Sequence, residues 1–197
     1  MFWIFEFGIW IFGFRISVFG IRNLNTGKSI IRVMAIKDAL LAELKHETAM
    51  TRKILERVPG DHKDWKPHEK SMSLGRLATH IAETVKWISC IKNIDDFDFM
   101  KDYNFQPNVA ASTAELLEVF ETYRDNAVAD LSAMSDDDFA KIWTVRRGEQ
   151  VLYQLPKKVA IRGWGFSHQL HHRGQLSVYL RLLNIPVPGM YGPSADE

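Results

Sequence analysis

Cysteine is nearly absent: Cys90 is the one thiol in 197 residues. That excludes an intramolecular disulfide framework and any cysteine-rich metal site, and it fits a reducing, cytoplasmic setting. A surplus of one charge is missing too. Twenty-five Lys and Arg stand against 24 Asp and Glu, a net charge of +1. A general nucleic-acid binder or polybasic membrane binder would carry a clustered basic excess, so no nucleic-acid partner is expected. The sequence also lacks a glycine-rich phosphate loop, a Gly-x-Ser-x-Gly elbow, strand–helix alternation and internal repeats. Dinucleotide-binding and serine-hydrolase architectures lose their support with them.

What is present begins oddly. Residues 1–33 hold eight of the 23 Phe, Trp and Tyr residues. Arg15, Arg22, Lys28 and Arg32 against Glu6 give this stretch +3, which leaves −2 for the other 164 residues. A spanning helix needs ~20 predominantly apolar residues with few charges. Glu6 and Arg15 interrupt the run, and Gly8, Gly13 and Gly20 weaken a helix. A secretory signal would need a basic start and a small-residue cleavage site, and neither is here. The expectation is a hydrophobic leader ahead of a natural start at Met34. A membrane-associating segment and an ordered part of the fold are the alternatives, and a membrane partner is expected only if residues 1–33 belong to the native protein.

The body, 34–197, reads as four helices joined by linkers, which predicts an all-α four-helix bundle. The first spans 36–57, with Leu40, Leu44 and Leu55 near helical spacing. Ser73 is a candidate cap for a second helix over 74–92, striped by Leu77, Ile81, Val85 and Ile88. Residues 93–111 read as a long loop whose Phe97, Phe99, Tyr103 and Phe105 either cap a cleft or form a satellite core. Ser112 and Glu115 have capping-box spacing at the start of a third helix running to about Met134. Residues 139–155 read as an irregular link with a short extended pair around Arg147-Gly148. The last helix is expected over 156–184, with Pro156 in its first turn and an apolar seam through Val178, Leu182 and Leu183.

Chemistry concentrates in that last helix, in Phe166-Ser167-His168-Gln169-Leu170-His171-His172. His168 and His172 are four apart, so a helix sets both imidazoles on one face, where one metal could meet both. His168 and His171 are three apart and could also converge; spacing alone does not choose. Gly163, Gly165 and Gly174 lie in or beside the same helix. Each costs ~1 kcal/mol relative to alanine, so close approach of a neighbouring helix is expected. A third ligand must come from elsewhere. His80 sits at the edge of the second helix's apolar stripe, and His46, His62 and His68 are alternatives. Cys90 reads as a small core residue rather than a nucleophile.

The stretches LGRLATHIAETVKWI, FSHQLHHRGQLSVYLRLL, WKPHEKSMSLG and PVPGMYGPSADE resemble the DinB-like family of metalloenzymes. The resemblance covers about 36–197 and stops short of residues 1–33. It implies a four-helix bundle with one divalent metal on three histidines, which in this sequence are His80, His168 and His172. His171 would then face elsewhere. It also implies a homodimer, and a kinship with enzymes that act on low-molecular-weight thiols. Zinc, nickel or a similar divalent ion suits three imidazoles, and such a set leaves open positions on the ion. The expected function is a metal-dependent transferase that moves a low-molecular-weight thiol to an electrophilic small-molecule substrate. A metal-dependent hydrolase and a non-enzymatic dimeric helical stress-response module are the alternatives. Glu83 and Gln175, one turn from His80 and His172, are candidates to hold the ligand rings. No residue is marked out as a general base.

Overall fold

A computed structural model of the chain describes residues 35–103 and 108–197, together with the backbone of residues 10–11 and 14–15. The chain divides into two units, Met1–Met34 and Ala35–Glu197. In the first, β1 (Trp10–Ile11) pairs antiparallel with β2 (Phe14–Arg15). The leader reading of residues 1–33 and the role of Phe105 otherwise fall outside the described residues.

The second unit is mostly helical. Its long helical elements are α1 (Ile36–Leu55), α2 (Leu74–Thr84) followed by α3 (Lys86–Asn93), α4 (Thr113–Ser132) and α7 (His168–Leu182). They share one core, with Leu44, Leu77, Ile81, Phe120, Leu131 and Leu176 each at most 2% exposed. Truncating a residue such as Phe120 to alanine there would cost about 3–5 kcal/mol. Ser73 caps α2 as its position predicts, its hydroxyl accepting the Arg76 N–H. The single helix expected over 74–92 is instead α2 and α3 around one irregular turn at Val85. The Thr84 hydroxyl donates to the Ile81 carbonyl inside that turn. Ser112 accepts the Glu115 N–H, while the Glu115 carboxylate accepts from Ala111 rather than from Ser112. The reciprocal capping box is found one element later, at Ser135 and Asp138 of α5 (Asp136–Ala140).

A sheet corrects the all-α expectation. β3 (Asp96–Asp98) pairs parallel with β4 (Ile142–Arg147), which pairs antiparallel with β5 (Gln150–Pro156). Three residues of the loop read over 93–111 are therefore strand, and the short extended pair read around Arg147-Gly148 is a hairpin that takes up most of the link. β4 alternates buried Trp143 and Val145 with less buried neighbours, and Gly148 at φ 58° turns the hairpin. Among the described loop aromatics, Phe97 joins the shared core and Phe99 and Tyr103 pack against it: Phe97 meets Trp87 edge-on at 5.3 Å, and Trp87 meets Trp164 at 4.9 Å.

The expected last helix is also assembled differently. Pro156 ends β5 and precedes α6 (Lys157–Ala160), so it stands one position before the first turn. A π-helical segment, Ile161–Ser167, then leads into α7. A Cβ on Gly165 would come within 2.7 Å of Ile88 in α3, so this glycine marks the expected close approach. Gly163 and Gly174 have open space where a Cβ would stand and mark none. Two of the three seam residues are turned outward, Val178 and Leu182 at 57% and 58% exposed, while Leu183 packs against the core and the inward face carries Gln169, Arg173, Leu176 and Leu180. Among the described residues, no helix is long and apolar enough to cross a membrane.

Candidate metal centre

Hydrogen bonds from both helices hold α2 and α7 in place. The Leu74 and Gly75 amides donate to the Trp65 and Lys63 carbonyls, tying the start of α2 to the connector before it. The Thr79 hydroxyl donates to the Gly75 carbonyl and accepts from the Ala110 amide. From α7, the Tyr179 hydroxyl donates to the Met72 carbonyl, and its ring meets Trp65 edge-on at 5.5 Å. On the far side of α7, Arg173 donates to the Glu47 carboxylate at 2.6 Å and to the Glu47 carbonyl at 2.9 Å on α1. The π segment completes the placement. The His168 N–H donates to the Gly163 carbonyl five residues back, which sets where α7 begins its rotation.

With the helices so placed, His80, His168 and His172 converge. Ring centroids are 5.1 Å apart for His80 and His168, 4.6 Å for His80 and His172, and 4.8 Å for His168 and His172. One nitrogen from each ring lies within 4.8 Å of the other two. His80 Nε2 and His168 Nε2 are 3.3 Å apart. A tetrahedral ion with metal–nitrogen bonds of about 2.0–2.1 Å puts neighbouring nitrogens about 3.3–3.4 Å apart, so that pair already has the spacing of two ligands. The bound of 4.8 Å for the full set exceeds one such edge.

The electrostatics favour neutral rings. Burial pushes His80 down to about 3, with the His172 and His168 rings adding to the effect. Burial likewise pushes His168 down to about 4, and it lowers His172. Neutral imidazoles are the form that binds metal, so near pH 7 no proton has to leave first. Gln175 Oε1 lies 2.7 Å from His172 Nδ1. An amide oxygen only accepts, so Nδ1 carries the proton and the Nε2 lone pair is free to face the other rings. Gln175 therefore does what its spacing allowed.

Glu83 does not touch His80. It accepts from Arg76 Nη2 at 3.0 Å, and Arg76 Nη2 lies 3.5 Å from His80 Nδ1. Arg76 is a site residue that sequence reasoning missed, although its four-residue spacing from His80 was there to be read. Lys86 and Trp87 were missed in the same way; with Glu83, Thr84 and Tyr103, the last already a candidate to cap a cleft, they line a small hollow beside His80. The remaining histidines stay outside. His46, His62 and His68 are exposed, His62 bonds Asp61, and His68 accepts the Lys70 N–H. His171 is exposed, with its ring 4.9 Å from that of His172. Cys90 is half-buried, and burial pushes its thiol up to about 12, so it is not a poised nucleophile.

Comparison with known proteins gives a consistent picture. Residues 34–197 match the model of the DinB family. The Bacillus subtilis protein YrdA is 26% identical over 160 residues, covering 81% of this chain and 90% of YrdA. YjoA of the same organism is 26% identical over 137 residues, covering 67% of this chain and 80% of YjoA. Among solved structures, a DinB-like protein from Bacillus cereus superposes with a TM-score of 0.61 at 24% identity, covering 78% of this chain and 97% of its own. The YjoA structure gives 0.59 at 20% identity, covering 75% and 96%. At that identity the likeness carries the fold.

Proposed function

The chain belongs to the DinB family, and from that premise we propose that it is a metal-dependent enzyme. In this reading one divalent ion, zinc or nickel or similar, sits on His80, His168 and His172, and the protein transfers a low-molecular-weight thiol to an electrophilic small molecule. The observation that carries the reading is the meeting of three ring-neutral histidines from two helices, with no carboxylate among them. Three imidazoles give a divalent ion open positions, and an ion so held supplies Lewis acidity that ionises a thiol near neutral pH.

The chain's own groups have defined parts. Gln175 holds the His172 tautomer that presents Nε2 inward. Arg173, bonded to Glu47, and Tyr179, bonded to Met72, hold the register of α7 against α1 and the start of α2. With an ion held through His80 Nε2, that ring's proton sits on Nδ1, and Arg76, which only donates and stands 3.5 Å from Nδ1, gives up that contact and keeps its pairing with Glu83. In the transfer itself, a carbon–sulfur bond forms on the electrophile, its leaving group departs with the electron pair, and the thiol proton goes to solvent. A cytoplasmic homodimer belongs to the same proposal.

The test is elemental analysis of the purified protein, then a panel of low-molecular-weight thiols with a chromogenic electrophile. Transfer that chelation abolishes and metal restores is the expected result. A metal-replete protein that is inert to thiols but cleaves esters or amides is a hydrolase instead. Inertness to all of them, with unfolding on metal loss, leaves a structural helical module.

A further inference from the structure

A second hollow lies further along the same helical stripe. His80, Thr84, Trp87 and Cys90 follow one another at spacings of three and four along α2 and α3, so they share one side, and Ile94 follows just past the end of α3. Beyond the hollow at His80, this side opens into a cleft of about 320 Å³ whose walls include Lys86, Trp87, Cys90, Ile94, Phe97 and Tyr103. Lys86, Trp87 and Tyr103 line both spaces. The cleft is at the lower end of the range for small-molecule sites.

We propose that this cleft binds the body of the substrate, and that it selects a planar, apolar molecule carrying one negative charge. The walls are mostly aromatic and aliphatic. The Trp87 and Tyr103 rings lie within 21° of parallel, 6.0 Å apart, and Phe97 stands edge-on to Trp87. Flat apolar surface is what such walls match. The charge preference comes from Lys86, half-buried where the two spaces join, whose ammonium rests 5.9 Å over the Tyr123 ring and is within a side-chain rotation of the cleft it lines. The acid in the lining, Asp102, has Oδ2 turned to the Asp98 N–H at 2.8 Å. Cys90 contributes polarisable surface, its buried thiol staying protonated. Calling the ligand a substrate rests on the metal-centre reading above; the binding site itself does not.

The experiment measures binding of 2-naphthoate and of its neutral analogue 2-acetylnaphthalene to the full chain, by calorimetry, with the protein metal-loaded and metal-stripped. One naphthoate per chain is expected in both states. Lys86→Gln should weaken naphthoate about tenfold, the size of a lost charge-assisted contact, and the ketone less than about twofold. Cys90→Phe fills the cleft and should weaken both at least tenfold. Cys90→Met, a smaller change, should weaken both by less, and the Trp87 indole resonance should shift on binding in the unsubstituted protein. No naphthoate binding, or binding that Lys86→Gln and both Cys90 variants leave unchanged, overturns the proposal. Binding that meets these expectations in a protein that takes up no metal sustains the cleft and sinks the metal reading. A metal-loaded protein that ignores naphthoate does the reverse.

Discussion

Helix α7 carries two polar clusters one residue apart in the sequence, and they are completed in different ways. Facing α1 are Gln169 and Arg173, each 3% exposed. The Arg173 guanidinium is met by the Glu47 carboxylate, the Glu47 carbonyl and the hydroxyls of Thr51 and Tyr191. Tyr191 in turn donates to Glu47, which ties the C-terminal tail to the same knot. Facing α2 are His168 and His172, which with His80 turn ring nitrogens toward each other with no acid among them. In the first cluster protein groups satisfy Arg173 and hold the fold, although the Gln169 amide nitrogen is buried without a partner among the described residues. The second is a set of acceptors converging on a common point, an arrangement that a cation completes.

The sharpest break of that contrast removes Arg173. Arg173→Leu strands a buried carboxylate and should lower the unfolding free energy by about 3–5 kcal/mol in denaturant melts. His168→Ala should cost the metal-free protein only about 0.5–1.5 kcal/mol, because the contact it removes is one between two neutral rings, 3.3 Å from the His80 Nε2.

Acid separates the clusters next. An unfolded histidine titrates near 6.5. The folded values lie below that, at about 3 for His80 and about 4 for His168. The unfolded state therefore binds more protons below pH 6.5. Stability of the metal-free protein should fall as pH drops from about 6.5 toward 4, and His80→Phe should flatten that slope in melts across the range.

The contrast sharpens again at Gln175. Gln175→Leu frees the His172 tautomer and should weaken metal affinity 10–100-fold, with the melting temperature of the metal-free protein nearly unchanged.

The last comparison sets two glycines against each other. Gly165→Ala drives a Cβ to 2.7 Å from Ile88 and should cost about 1–3 kcal/mol. Gly174→Ala meets open space and should stabilise by up to about 1 kcal/mol in the same melts.

Sequence reasoning reached the triad because four-residue spacing on a helix is a geometric statement about His168 and His172, whereas His80 was singled out only by the edge of a stripe and by family resemblance. It missed which side of α7 faces inward. Val178 and Leu182 share a face by spacing, but spacing does not say which face is buried. Here the inward face hides behind two polar residues, Gln169 and Arg173, that look solvent-facing until their partners on α1 and the tail are known. The π segment was also out of reach, since a hydrogen bond from His168 to Gly163 leaves no periodic signature in so short a run. The hairpin was half legible. β4 alternates in its burial, but β5 is exposed along most of its length, and an exposed strand has no apolar rhythm to read.

Metal stoichiometry tests the central claim most directly. Equilibrium dialysis against zinc should load one ion per chain, and His80→Ala, His168→Ala and His172→Ala should each abolish that uptake while keeping the helical circular dichroism of the parent. Uptake unchanged in His80→Ala, or no uptake by the parent chain, would contradict it.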